Sequence, residues 1–115
     1  MTKPSKDQVL FIVETHANKI MECLRIDRQS VELFVVGRNS KQFKQYKITG
    51  VCGLTVSHNK KHKVYIVWEN ATSIKDALGT LIHELIHVRL NDFNLPYNKE
   101  EDLVRQLENL VLLFI

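Results

Sequence analysis

Apolar positions along the chain fall into two periods. From Asp7 onward, Val9, Leu10, Ile12, Val13, Ala17, Ile20, Met21 and Leu24 recur at three- and four-residue steps. That spacing predicts an amphipathic helix over residues 7–24, with Ser5 or Asp7 as its cap. Val31-Glu32-Leu33-Phe34-Val35-Val36, β-branched and aromatic and followed by Gly37, predicts a first strand. A second strand is expected over 48–57, bent near Gly50 and Gly53 before Leu54-Thr55-Val56. His58-Asn59-Lys60-Lys61-His62 reads as a turn, and Val64-Tyr65-Ile66-Val67-Trp68 as a third strand, which makes a hairpin with a charged tip. Residues 38–47, where Lys41, Lys44 and Lys47 alternate with Phe43 and Tyr46, fit either a loop with a basic ridge or a short helix.

Two further helices follow. Residues 74–90 are preceded by Ser73 and Asp76 in a capping-box arrangement, with Asn91 as the expected left-handed stop. Residues 99–115 carry Leu103, Val104, Leu107, Leu110, Val111 and Phe114 at helical spacing toward an inner face. The apolar end from Leu110 to Ile115 either packs inside or forms an interface. The whole predicts one α+β domain spanning 1–115: an N-terminal helix, a three-stranded mainly antiparallel sheet, a central helix and a C-terminal helix.

The central helix is unlike the other two. Leu78, Leu81, Ile82, Leu85, Ile86, Val88 and Leu90 surround it almost completely, as in a buried helix. Yet it also carries His83-Glu84-x-x-His87. Residues four apart share a face, with Cβ atoms about 5–6 Å apart, so both imidazoles can reach one metal ion. Glu84 is turned by about 100° from His83 and can flank that ion without binding it. Burying such groups without partners costs several kcal/mol, and a divalent cation removes the cost. The plainer reading, two satisfied core histidines, does not account for the adjacent glutamate.

A catalytic zinc takes three protein ligands and leaves one position open. Glu100 and Glu101 on the last helix are the candidates for the third, and periodicity does not separate them. Glu101 also completes a capping-box pattern with Asn98. His16 fits a partly buried histidine, while His58 and His62, in the lysine-rich turn, fit solvated loop residues. Cys23 and Cys52 lack CxxC spacing and read as packed thiols. Tyr97, between the two helices, is a loop tyrosine within reach of an oxyanion role.

Composition adds limits. The chain has 115 residues, 44% hydrophobic and 25% charged, with a net charge of +3. That suits a single soluble domain and permits a nucleic-acid or acidic partner without requiring one. No apolar run reaches membrane-spanning length, the N-terminus lacks a signal-peptide core, and two cysteines make no disulfide framework. A cytoplasmic setting is therefore expected. The lysine groups 41/44/47 and 60/61/63 fit solvated faces, with weak nucleic-acid contact through neighbouring aromatics as the alternative.

From Gly50 onward the chain resembles the compact zincin-like metallopeptidases, in particular small phage and prophage-type ones. The residues that carry the likeness are Gly50-x-Cys52, Val64-Tyr65-Ile66-Val67, Thr80-Leu81-Ile82-His83-Glu84-Leu85-Ile86-His87, and Glu101-Asp102-Leu103-Val104 through Asn109. The resemblance implies a gluzincin-type arrangement: one Zn²⁺ per chain on His83, His87 and Glu101, with Glu100 in reserve, and Glu84 as general base. It further implies a peptide or protein substrate, taken along Val64–Trp68 should that be an edge strand. No HxxGxxH extension follows His87, which departs from the metzincin pattern. The alternatives are a non-catalytic zinc-stabilised protein-binding module and a SprT-like DNA-associated protease, although no third histidine stands at the SprT-like spacing.

Overall fold

A computed structural model of the chain describes residues 2–41 and 50–114. Helix α1 (Lys6–Leu24) begins in a reciprocal cap, where Gln8 N–H donates to the Ser5 hydroxyl and Ser5 N–H donates to the Gln8 side chain. Two donors that a first turn leaves without partners are thereby satisfied. Val9, Val13, Ala17, Ile20 and Met21 form its buried stripe. Arg25, at φ 57°, ends it in the left-handed region. A short 3-10 turn capped by the Asp27 carboxylate leads into β1 (Val31–Val36).

Strands β2 (Gly53–His58) and β3 (Lys61–Val67) form the expected hairpin. Its two-residue turn, Asn59 and Lys60, has φ of 50° and 63°, the double left-handed geometry that matches strand twist. The sheet order is β1-β3-β2, with β1 parallel and β2 antiparallel to β3. It is therefore mixed, not mainly antiparallel, and β3 is its central strand, not an edge. The reason lies in β3 itself: Val64 and Ile66 are buried on one face and Tyr65 and Val67 on the other. A strand apolar on both faces belongs inside a sheet. Trp68 leaves the strand in a 3-10 turn.

Helix α2 (Ile74–Leu90) starts at Ser73, whose hydroxyl accepts from Asp76 N–H. The Asp76 carboxylate reaches back to Thr72 N–H, one residue earlier than the capping box predicts. Asn91 is helical (φ −56°) and opens a 3-10 turn, Asn91–Phe93. The left-handed position falls at Asn94 (φ 51°) instead. Helix α3 (Tyr97–Leu112) follows directly on Pro96, a residue suited to helix starts because its missing N–H leaves no orphan donor. Asn98 is thus inside the helix, and the capping role weighed for Glu101 is gone. Val104 and Val111 are buried on α3, with Leu103, Leu107 and Leu112 packed beside them. Leu110 and Phe114, expected inside, are 53% and 66% exposed. Leu110 comes six residues after Val104, a rotation of about 240°, and so faces away.

α2 packs against α1, α3, β2 and β3, and Leu81, Ile82, Leu85 and Ile86 are fully buried there. Across the sheet, Phe34 stacks on Tyr65 at 5.1 Å. Among the described residues no helix is long and apolar enough to cross a membrane. The basic ridge residues Phe43, Lys44, Tyr46 and Lys47, the start of the expected second strand at Ile48, and Ile115 lie outside the described residues.

Candidate metal centre

One strip of α2 is not sealed by the core. Asp76, Thr80, His83, Glu84 and His87 succeed one another along it and line a cleft of about 890 Å³. β2 forms one wall through Gly53, Thr55 and Ser57, and α3 forms the other through Glu100, Glu101 and Glu108. Gly53 is what lets β2 lie so close. A Cβ there would stand 2.8 Å from Thr80 Cγ2 and 3.0 Å from Glu84 Cγ.

Within the cleft, one donor atom each from His83, His87 and Glu101 lie within 4.8 Å of one another. Glu101 Oε1 is 2.6 Å from His87 Nε2 and 3.7 Å from His83 Nε2. Behind the rings, His87 Nδ1 lies 2.6 Å from Glu100 Oε2, and His83 Nδ1 is bonded to Glu108 Oε1. Both glutamates weighed for the third position therefore reach His87, from opposite sides of its ring. Only Glu101 meets the Nε2 atoms of both histidines.

The donor set fits a cation. A neutral imidazole has one N–H. With Nδ1–H given to a glutamate, Nε2 presents a lone pair, and facing it is the carboxylate oxygen of Glu101. Two acceptors that close repel unless a proton or a cation lies between them. Two ring nitrogens and a carboxylate oxygen are a ligand set of the kind zinc takes.

Glu84 points into the same cleft and is only 7% exposed. The Thr55 hydroxyl donates to its carboxylate at 2.8 Å and also lies 3.2 Å from its carbonyl oxygen. Burial pushes its carboxyl above the ordinary range, with the Thr55 hydrogen bond and the two histidines opposing that shift and Glu101 adding to it.

Other candidates lie elsewhere or behave differently. His62 is not solvated: it is 7% exposed and its Nδ1 lies 2.7 Å from Ser57 Oγ. Burial holds its pKa below the ordinary imidazole value, partly offset by Asp92. His58 is exposed as expected, and His16 is half-buried. Cys23 is exposed, not packed. Cys52 is half-buried at the cleft wall, donating to Asn70 O, and burial together with Asp76 and Glu84 raises its thiol pKa. Tyr97 is the first residue of α3, 78% exposed at the cleft rim. Lys41, Lys60, Lys61 and Lys63 are exposed.

Sequence reasoning gives Glu108 and Thr55 no role in the site and reads Gly53 only as a bend in a strand. A signal existed for Glu108. Glu101, Val104, Glu108 and Val111 follow steps of three, four and three on α3, and both valines are buried. A glutamate on such a stripe faces inward and needs a partner. Thr55 and Gly53 carry no such mark, because their importance depends on how β2 lies against α2. No family model, curated protein or solved structure matches this chain, so the function is read from the cleft's own residues.

Proposed function

We propose that the protein is a zinc-dependent metallopeptidase. The observation that carries this reading is the meeting of His83, His87 and Glu101 within 4.8 Å beside a buried, hydrogen-bonded Glu84. His83 and His87 bind through Nε2, and Glu101 adds a carboxylate oxygen. Zinc held there would supply Lewis acidity and lower the pKa of a bound water toward neutrality. Glu84 accepts a proton from the attacking water and returns it to the departing amine nitrogen, so that water adds across the C–N bond. The Thr55 hydroxyl holds the Glu84 carboxylate in place for both transfers.

β2 is an edge strand among the described residues and lines the cleft. It offers an extended peptide main-chain groups to pair with, the part first expected of the strand now seen at the centre of the sheet. A module using zinc for structure alone has no need of Glu84. A nucleic-acid reading is disfavoured inside the cleft, because no Lys or Arg occurs among the described residues that line it. Glu84→Gln tests the proposal. The variant is expected to keep the metal content of the parent, by elemental analysis, and to lose about 10²- to 10⁴-fold in hydrolysis of a fluorogenic peptide library. Equal turnover by both proteins would refute the mechanism.

A further inference from the structure

Three carboxylates of α3 engage the histidine pair, and the proposed metal site uses one of them. Glu101 faces the Nε2 atoms, while Glu108 and Glu100 hold the Nδ1 atoms of His83 and His87. Building on the metal reading above, we propose that Glu108 and Glu100 are positioning residues that decide which nitrogen of each ring is free to bind. An Nδ1–H donated to a carboxylate leaves Nε2 as the sole lone pair of the imidazole and fixes the ring plane.

The fold places the two partners differently. Glu108 stands on the inward stripe between buried Val104 and Val111, two helical turns after Glu101. Glu100 lies one residue before Glu101 and reaches the flank of His87, which is the less exposed histidine, at 13% against 25% for His83. Each histidine is therefore held from behind by a residue of the same helix that supplies the third ligand. α2 brings the imidazoles, and α3 sets their direction.

Zn²⁺ affinity, measured by competition with a chromophoric chelator, tests this on Glu108→Ala, Glu100→Ala, Glu108→Met and Glu108→Gln. Imidazole ¹⁵N–¹H correlation spectra of the same proteins report the position of the ring proton. The alanine variants should bind zinc about 10- to 100-fold more weakly. Glu108→Met keeps the volume without an acceptor and should weaken binding as alanine does, which separates loss of the acceptor from loss of packing. Glu108→Gln, whose amide oxygen accepts the same bond, should recover most of the affinity and keep the Nδ1–H signal of His83. Parental affinity and an unchanged Nδ1–H signal in Glu108→Ala and Glu108→Met would overturn the proposal. His83→Ala separates the two levels of inference. Should it bind zinc as the parent does, the metal site itself is wrong. Should it lose zinc while the variants at Glu100 and Glu108 do not, the site stands and the positioning role falls.

Discussion

On the sheet side of the cleft, Glu84 is fixed by packing: it is 7% exposed, bonded to Thr55, and pressed against Gly53, where there is no room for a Cβ. On the far side, α3 presents Glu100, Glu101 and Glu108 with 21%, 18% and 27% of their side chains exposed. Behind them stand two buried valines and a partly covered leucine rim. Glu84 thus sits in a wall made rigid by the core. The three glutamates ride on an amphipathic helix of modest burial, and their like charges would gain most from a cation. The comparison implies that an ion bound at the proposed site would do more for α3 than for the rest of the fold.

The largest effect should come from removing it. At zinc concentrations a thousand times the dissociation constant, binding stabilises the folded state by about 4 kcal/mol. Chelation should lower the melting temperature accordingly. Amide hydrogen exchange should then accelerate in α3 well before the inner face of α2 or β3. Equal loss of protection on both sides would erase the distinction between the walls.

A middling effect is expected from Gly53→Ala, which attacks the rigid wall alone. Its Cβ would meet Thr80 Cγ2 at 2.8 Å, Glu84 Cγ at 3.0 Å and the Tyr65 carbonyl oxygen at 3.1 Å. Overpacking of that kind costs about 1–3 kcal/mol. It should displace Glu84, so peptide hydrolysis falls while zinc content stays at the parental level. Loss of zinc along with activity would mean that the walls are not independent.

The smallest effect is a slope with pH. His62 lies on β3 beside Ser57 of β2, and burial keeps its folded pKa below the unfolded value of about 6.5. The unfolded chain then binds the extra proton first. The stability due to neutral His62 is complete above about pH 6.5 and is lost as pH falls toward the folded value. Urea denaturation in chelator, from pH 7.5 down to about pH 5, should show a steeper decline for the parent than for His62→Gln. Parallel declines would remove His62 from the account.

What could be read from the sequence follows the range of the interactions. Ser5, Ser73 and the apolar stripes of α1 and α2 act within a few residues, and those helices fall where periodicity predicts. The HExxH spacing is likewise local, so His83, Glu84 and His87 stood out at once. The centrality of β3 was written in the burial of both its faces, but its parallel partner β1 is remote in the chain. The His62 misreading has a simple cause: lysine-rich surroundings suggested solvent, while its even-numbered register with Val64 and Ile66 put it on the inner face. The choice between Glu100 and Glu101 needed the true start of α3 and its rotation about its axis, which only packing against α2 determines.

That rotation bears on how the chain tolerates change in length. Glu101, Val104, Glu108 and Val111 keep one heading only while the residues between them stay at their present number. A single insertion between Glu101 and Glu108 swings everything beyond it by about 100°, taking Glu108 away from His83 and Val111 out of the core together. The segment joining α2 to α3, with Asp92, Phe93 and Asn94 exposed, carries no such phase requirement. An added residue should therefore be better tolerated at that joint than within the helix, where it would cost the site and the fold at once.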